Sequence, residues 1–523
     1  MKAKACFILL RMIFIVMIFS AFSLKAANIK IDKTPTITDI NTTDKSAFIN
    51  FDMSWENSWK VSESASNYDG AWVFVKYKEK DATEWKHAFL STKTNEFKIE
   101  KENGVTPSYS MGNTDSKGVG VFIYRKKNGS GNINWDGVKL KWNYEENGIN
   151  DINNVIIKVY AIEMVYVLKG AFKIGSGGNE SSAFYTYPNT TTTFPITSEG
   201  TITVGQNNGN LCYAKYRYGD SYFGVIPTEF PKGYNAFWCM KYEITQEQYV
   251  DFLNSLTRQQ QKPRVWSDIS GEKVANRYVM SNTSTVLYRS GISCNATIGT
   301  TDPVNFYCDL NGNGIPNEKN DGQNISNTFM NWGDGAAYTD WAGLQPMTEL
   351  QYEKACRGTL KPVSNEYAWG TVNRFIISSL VNAGMVNELP SNPEANVDTE
   401  NPAAVQGPVR AGFFENPKAT REQKGTSFYG IADLSGNLFE RCVTIGNAVG
   451  ASYKGTLGDG EIDQTGYATN VDWPKNYGNG AGFKGGSFYY GSGYARVSDR
   501  EYAALGNDDR YCHYGFRAVR IAE

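Results

Sequence analysis

Histidine is the residue type that most restricts the chemistry of this 523-residue chain. There are only two histidines, His87 and His513, and they lie far apart in the sequence. A three-histidine metal site within one chain and the helical zinc-protease motif are therefore excluded. Any Ser–His or Cys–His nucleophile would have to use one of these two side chains. The alternative, which we favour, is that both imidazoles pack or titrate without a catalytic role.

Cysteine is the second residue type with potential chemistry. Of the eight cysteines, seven follow the N-terminal segment: Cys212, Cys239, Cys294, Cys308, Cys356, Cys442 and Cys512. No CxxC spacing occurs, so a structural zinc knuckle is not expected. An exported chain could form disulfides, but an odd number leaves at least one thiol free or paired between molecules. The sequence leaves the pairing open.

The loop that begins at Asp309 has a pattern suited to a hard cation. Asp309, Asn311 and Asn313 place oxygen donors at alternate positions, and Gly314 follows, as in the first half of a calcium loop. The twelfth position is Asn320, where such loops have Glu. The alternative is a polar surface turn.

The chain begins with an apolar run that is typical of a signal peptide. Two lysines come before a run over residues 5–22, and Ala26-Ala27 offers a cleavage point. The pattern predicts a signal peptide over residues 1–27 and a periplasmic or secreted protein with no transmembrane segment after cleavage. The alternative is an uncleaved anchor, since the run approaches the ~18 residues that a membrane span needs.

The composition favours a folded, neutral chain. The 52 Lys and Arg residues against 54 Asp and Glu residues give a net charge of −2, so nucleic acid is not an expected partner. Aromatic residues make up 14% of the chain, which is enough to fill large cores. The 51 glycines indicate many turns and irregular loops.

Residues 28–160 are predicted to form an all-β sandwich domain. Apolar and polar residues alternate over positions 47–55, and similar short runs recur between turn-forming clusters. The aromatic side chains of this segment either fill the inner faces of the sheets, which we favour, or form a sugar-binding row. The row would be drawn from Trp55, Trp72, Trp85 and Trp142.

Residues 161–523 are predicted to form an α+β domain with little regular secondary structure. Thr245 and Gln248 form a capping box before one helix. A second helix is predicted over residues 335–341. A third is predicted to begin at the N-cap Thr348 and to end at Gly358.

Six segments of this second part, in this order, resemble the formylglycine-generating enzyme domain, also called the sulfatase-modifying factor domain. They are residues 164–176, 242–252, 340–358, 367–370, 430–440 and 484–517. The resemblance covers residues ~162–523, and each motif alone is weak. It implies a low-regularity α+β fold related to C-type lectins.

The family's enzymes oxidise a sulfatase cysteine to formylglycine, with copper held by two cysteines just after a Gly-Gly-Ser segment. Here Gly485-Gly486-Ser487 begins a segment that has no cysteine up to Arg500. Cu(I) selects thiolates, so copper is not expected to bind there. Ser487 matches the family's active-site serine and is the only candidate for a catalytic residue, as a vestige of the family's site. The alternative is that Ser487 caps a turn. The iron-dependent branch of this fold needs three histidines and is excluded.

The resemblance also implies calcium sites. The ligands of the first would be the side chains of Asp433 and Glu440 and the carbonyls of Gly436 and Leu438. The alternative for this loop is an Asx turn followed by a salt-bridged Glu440. A second family site would begin near Asn382, with Asp398 or Asn401 as further ligands.

Three functions follow from these observations. The first, which we favour, is a non-catalytic, calcium-stabilised binding or scaffold protein of the cell envelope. It would present Tyr489, Tyr490 and Tyr494 to a protein or glycan partner, unless these rings only fill the domain core.

The second function is a formylglycine-generating oxidase, which would need a thiol pair from elsewhere, such as Cys512 with Cys442 or Cys294. The third is a glycan-binding protein that uses the tryptophan row of the β domain.

Overall fold

The structure, a computed structural model, describes residues 29–62, 66–214, 221–400, 404–416, 419–475 and 477–523. The predicted signal peptide and Asn401 lie outside the described residues. The described chain is mostly β-sheet with few helices, as expected for a β-rich domain with long loops. None of its helices is long and apolar enough to cross a membrane.

Ten strands form the N-terminal part. They are β1 (Lys30–Ile31), β2 (Thr36–Asn41), β3 (Ser46–Lys60), β4 (Asp69–Glu79), β5 (Lys86–His87), β6 (Lys98–Lys101), β7 (Pro107–Thr114), β8 (Lys117–Arg125), β9 (Gly129–Trp142) and β10 (Val155–Val167). One sheet has the order β1-β3-β9-β6, with β2 on β3. A second sheet contains β10, β4, β8 and β7 in that order, with β5 on β4.

The inward residues of the two sheets form one apolar cluster. In β3, Ile49, Phe51 and Met53 are buried while the residues between them are half-exposed. They belong to the same cluster as Val73 and Val75 of β4. The alternation predicted over residues 47–55 is therefore confirmed, because one face of β3 is turned to the core.

Trp55, Trp72 and Trp142 do not form the surface row that was the alternative for them, and the interior position that we favoured holds for these three tryptophans. Trp55, Trp72 and Trp142 are each at most 1% exposed, and only Trp85 is half-buried. Their rings lie in the interior because burial of the large apolar area of an indole ring stabilises the folded state.

Strand β10 runs through the boundary predicted at residue 160. Its first eleven residues pair with β4, from Val155 opposite Glu79 to Val165 opposite Asp69. Its last four pair with the next part of the chain, where Met164 lies opposite Met240.

The remaining strands are short. They are β11 (Phe172–Ile174), β12 (Phe184–Thr186), β13 (Phe194–Ile196), β14 (Ile202–Val204), β15 (Leu211–Tyr213), β16 (Gly224–Ile226), β17 (Phe237–Met240), β18 (Ile292–Cys294), β19 (Phe306–Cys308), β20 (Gln345–Pro346), β21 (Leu380–Val381), β22 (Leu389–Pro390), β23 (Glu440–Val443), β24 (Ala481–Lys484) and β25 (Ala518–Ile521). Three of them extend the second sheet, in the order β20-β25-β17-β10-β4-β8-β7. One sheet thus contains strands from both parts of the chain.

The helices are α1 (Gln246–Leu253), α2 (Arg258–Gln261), α3 (Trp332–Trp341), α4 (Glu349–Arg357) and α5 (Ala448–Ala451). The predicted capping box of α1 and the predicted start and end of α4 are confirmed. Helix α3 begins three residues before the predicted position, because Asn331 caps it and exchanges hydrogen bonds with Asp334.

Candidate functional site

The Gly-Gly-Ser segment follows β24 in a tight turn. Gly485 and Gly486 have φ angles of 85° and 68°, and a Cβ on Gly486 would lie 2.7 Å from the backbone nitrogen of Ala495. Glycine is needed at these positions because a side chain would be strained there. Ser487 is fully buried, and its Oγ accepts a hydrogen bond from the Tyr489 backbone N–H at 3.3 Å. In this structure Ser487 caps the turn, which is the structural alternative considered for it.

The predicted tyrosines lie directly after this turn. Tyr489, Tyr490 and Tyr494 are each half-buried. The Tyr490 ring lies 5.3 Å from the ring of Phe439 and 5.3 Å from that of Tyr494. Edge-to-face contacts at these distances are favourable. The tyrosines therefore pack against the domain and also keep exposed area, so each of the two alternatives holds in part.

His513 lies at the centre of these rings. Its imidazole is stacked between Tyr489, at 5.5 Å and 16°, and Tyr511, at 5.6 Å and 3°. His513 is 6% exposed, whereas Tyr511 is 49% exposed and forms the outer face of the stack. We call Phe439, Tyr489, Tyr490, Tyr511, His513 and Tyr514 the His513 surface.

The electrostatics keep the imidazole neutral. Burial, with a smaller contribution from the nearby Arg441, lowers the pKa of His513 to about 3. The Arg441 guanidinium lies 4.5 Å from the ring centre of Phe483 and 4.7 Å from that of Tyr514. At neutral pH the surface is therefore an aromatic platform with an uncharged imidazole.

Cys512 is the thiol of this site. Its Sγ lies 3.7 Å from Nδ1 of His513, and burial raises the pKa of the thiol to about 12. A Cys–His pair activates sulfur only when the proton moves to the imidazole, and here both groups stay neutral. All seven cysteines of the described chain are buried and free.

The second thiol that an oxidase would need is not supplied by the predicted partners. Cys442 belongs to a different core cluster from Cys512, beside Cys356. Cys294 shares a large core cluster with Cys512, but it lies in strand β18 and forms no disulfide. The described residues thus do not fit the family's two-thiolate copper site.

Several residues of the site were not identified from the sequence. Tyr288 lies 6.0 Å from Tyr489, ring to ring, although it is far away in the chain. Arg441, Tyr511 and Tyr514 were also missed. The cluster of tyrosines on both sides of His513 was the one local signal that could have indicated the last two.

The predicted calcium loop, residues 433–440, ends at the first residue of β23 and contains Phe439 of the His513 surface. Asp433 has a φ of 58°, and Oδ2 of Asp433 and Oε2 of Glu440 are buried with no hydrogen-bond partner among the described residues. The other oxygen of Glu440 accepts a 2.7 Å hydrogen bond from Nε of Arg517. The salt bridge of the structural alternative is therefore present, and each carboxylate still has one free oxygen.

The charges around this loop favour a cation. Burial raises the pKa of Asp433 to about 7; Arg517 opposes the shift, and Glu415 and Glu440 add to it. Asp398 also has an unpartnered buried oxygen, and burial raises its pKa, as do Asp433 and Glu388. Repulsion between buried carboxylates raises their pKa values, and a bound divalent ion would relieve it.

No three His, Cys, Asp or Glu side chains among the described residues are grouped as in a metal site. Calcium in this loop would therefore need backbone oxygens as well as Asp433 and Glu440. The carbonyls of Gly436 and Leu438 accept no hydrogen bond from the described residues, so they are free to serve. The donor set fits calcium.

The other two predicted calcium positions have different surroundings. The side-chain oxygens of Asp309, Asn311 and Asn313 each accept a hydrogen bond from a backbone amide of the same loop, at 3.2, 2.9 and 2.7 Å. Asn382 is exposed between β21 and β22, whereas Asp398 is buried. Calcium at these positions remains a prediction.

A model of the family described as "Sulfatase-modifying factor enzyme 1-like domain" matches residues 159–522. Since the match spans most of the sequence, the chain belongs to this family, and the resemblance found in its motifs is confirmed. No curated protein matches the chain.

Proposed function

We propose that this protein is an exported, non-catalytic member of its family that acts as a calcium-stabilised binding or scaffold protein in the cell envelope. The proposal rests on one observation. Where the family's enzymes have two copper-binding cysteines, after the Gly-Gly-Ser turn, this chain has no cysteine and has the aromatic His513 surface instead. After the Gly-Gly-Ser turn the chain presents tyrosines around a neutral His513. Tyrosine rings offer contact area for a partner, whereas oxidation of a substrate cysteine at copper would need thiolates.

The thiol chemistry supports this proposal. Oxidation of a substrate cysteine at copper needs thiolates that hold Cu(I) and bring the substrate sulfur beside it. The one thiol at the site, Cys512, has a pKa of about 12 and is 8% exposed. The alternative function, a formylglycine-generating oxidase, would require a second thiol to reach it.

The exposed ring of Tyr511 indicates how a partner would bind. Tyrosine rings offer rigid contact area with a hydrogen-bonding tip, which suits both protein and glycan partners. The burial of Trp55, Trp72 and Trp142 leaves the N-terminal part without the row that its own glycan-binding role required.

Calcium has a structural role in this proposal. Asp433 and Glu440 would hold it with the carbonyls of Gly436 and Leu438, and it would neutralise buried charge. Export to the periplasm or the exterior is proposed from the N-terminal apolar run. The β-sandwich in residues 28–160 is proposed from the sequence pattern, and the relation to C-type lectins is proposed from the family resemblance.

Copper binding by the mature protein is the decisive test. We expect no tight Cu(I) in a titration against a chelator, with seven thiols counted after unfolding. One tight copper per chain, lost in Cys512→Ser and retained in Cys308→Ser, would overturn the proposal in favour of the oxidase.

The binding role is tested by a photoreactive residue in place of Tyr511, with the same substitution at Tyr477 as control. Tyr477 is 75% exposed and is not part of the His513 surface. We expect a discrete crosslinked adduct in cells from position 511 alone. Equal labelling from both positions, or none from either, would contradict a binding surface at His513.

A further inference from the structure

A cavity of about 470 Å³ lies where the N-terminal part meets the family domain. Trp59 and Asn67 line it from one side and Lys241, Arg421 and Lys424 from the other. The volume is within the range of about 300–1,000 Å³ of small-molecule sites. None of these residues belongs to the His513 surface.

The cavity wall carries excess positive charge. Three cations line it against one carboxylate, Glu415, which is paired with Lys241 at 2.8 Å. Lys241 also pairs with Glu163 and lies near Asp69, so its charge is compensated, and Arg421 and Lys424 are the two wall cations outside the salt bridges of the described residues.

Two of these cations form no salt bridge with a described residue. Arg421 donates its hydrogen bonds to the carbonyls of Cys356, Ala368 and Thr426. Lys424 is half-buried, and its ammonium makes no hydrogen bond or ion pair with a described residue. Burial lowers the pKa of Arg421 to about 10 and also lowers that of Lys424, and the carboxylates of Glu366 and Glu415 oppose these shifts only in part.

A buried hydroxyl in the wall also lacks a partner. Tyr429 is fully buried and lines the cavity, and its OH makes no hydrogen bond within the described chain. A buried donor without an acceptor costs free energy. The hydroxyl oxygen itself is not accessible from the cavity, so it lies behind the wall and is not a ligand contact.

Aromatic and amide groups complete the wall. Trp59 and Phe428 add ring faces, and Asn57, Asn67 and Thr426 add hydrogen-bonding groups. An apolar ring face beside amides and hydroxyls complements a sugar ring, which has apolar C–H faces and a hydroxyl rim. The cationic side chains of Arg421 and Lys424 are complementary to a carboxylate.

We propose that this cavity binds an acidic sugar, with its carboxylate near Arg421 and Lys424 and its ring against Trp59. The site is built from both parts of the chain, so neither part would bind the ligand alone. The inference does not depend on the role proposed for the His513 surface.

The test is calorimetric titration of the full mature protein with glucuronate, with glucose as the neutral control. We expect glucuronate to bind, glucose to bind at least tenfold more weakly, and added salt to weaken glucuronate. Lys424→Gln should weaken glucuronate at least tenfold. Lys361→Gln, an exposed lysine outside the cavity, should leave it unchanged.

A second variant guards against a folding defect. Trp59→Phe keeps an aromatic ring, and we expect it to retain glucuronate binding but to lose most of the ligand-induced change in tryptophan fluorescence. Failure of glucuronate and galacturonate to bind, equal binding of glucose, or unchanged binding in Lys424→Gln would overturn the proposal. Tyr511→Ala should not change glucuronate affinity, which separates this site from the His513 surface.

Discussion

The chemistry of Cys512 is set by its immediate surroundings. The thiol is buried against a neutral imidazole, with Sγ 3.7 Å from Nδ1 of His513. A backbone hydrogen bond favours the thiolate only slightly, so burial dominates and the proton is retained. This distinguishes Cys512 from an activated cysteine, in which the neighbouring imidazole takes the proton.

Cys512 should therefore be inert to alkylation in the folded protein. With a pKa of about 12, only a very small fraction is thiolate at pH 8. We expect iodoacetamide to modify Cys512 at least a hundredfold more slowly in the native than in the unfolded protein, as followed by peptide mass spectrometry. Fast native labelling at pH 8 would show an activated thiol.

His513 should make the stability depend on pH in a defined direction. Its pKa is about 3 in the folded state against about 6.5 when unfolded, so between these values only the unfolded chain binds the proton. This contribution therefore raises the free energy of unfolding as pH rises from 3 to 6.5, by up to about 1.4 kcal/mol per pH unit.

The His513→Asn variant isolates this contribution. We expect the difference in unfolding free energy between wild type and variant to shrink as pH falls from 7 to 4, measured by denaturant titration. Parallel pH profiles for the two proteins would contradict the assigned pKa. Comparing the two proteins removes the effect of His87, which is also buried with a lowered pKa.

At the scale of elements, the loop that joins Asp433 to β23 holds buried negative charge that its own hydrogen bonds do not satisfy. Oδ2 of Asp433 and Oε2 of Glu440 are both unpartnered among the described residues. A group with a raised pKa lowers stability as pH rises above its unfolded value, because the folded state then holds a proton that the unfolded state has lost.

Asp433→Asn should have opposite effects with and without calcium. In chelator at pH 7.5 we expect the variant to be more stable than wild type by at least about 1 kcal/mol, because the buried charge is gone. With millimolar calcium only wild type should gain stability. Thermal unfolding in both conditions measures this, and a calcium response retained by the variant would place the ion elsewhere.

Helix α4 depends on its N-cap more than a surface helix does. Oγ1 of Thr348 accepts a hydrogen bond from Gln351 at 3.1 Å and donates one to the Pro231 carbonyl at 2.9 Å. We expect Thr348→Ala to cost about 2 kcal/mol, because a buried carbonyl also loses its donor. Thr257→Ala, at the capping box of short helix α2, should cost about 1 kcal/mol or less in the same chemical denaturation assay. Equal losses would show that the tertiary bond contributes little.

At the scale of the whole molecule, the two parts of the chain share a sheet and bury residues in each other. Trp72 of β4 donates a 2.8 Å hydrogen bond to the Ala342 carbonyl in the family domain. Asn113 of β7 bonds to Glu523 at the far end of the sequence. Contacts of this kind couple the folding of both parts.

Full-length protein should therefore unfold in one transition. Gly120→Ala places a Cβ 2.5 Å from Cζ2 of Trp72 and should cost roughly 1–3 kcal/mol. We expect it to lower the midpoint equally in far-UV and near-UV circular dichroism. Gly129→Ala, where a Cβ would meet no neighbour within 4 Å but φ is 152°, controls for backbone strain alone. Two separated transitions would show that the parts fold independently.

Features that depend on local pattern could be predicted from the amino-acid sequence. The alternation in β3, the capping box of α1, the N-cap of α4 and the family motifs each follow from residues close together in the chain. The lack of cysteines between Ser487 and Arg500 was equally visible. These features need no long-range contact to be recognised.

Features that depend on contacts between distant residues became visible only in the folded chain. Burial assigned Trp55, Trp72 and Trp142 to the core, since alternation alone does not say which face is covered. The pairing of β10 with both β4 and β17 carried the sheet across the predicted boundary. The stack of Tyr489, His513 and Tyr511, and the cavity between Trp59 and Lys424, bring together side chains from separate segments, and no local pattern encodes that meeting.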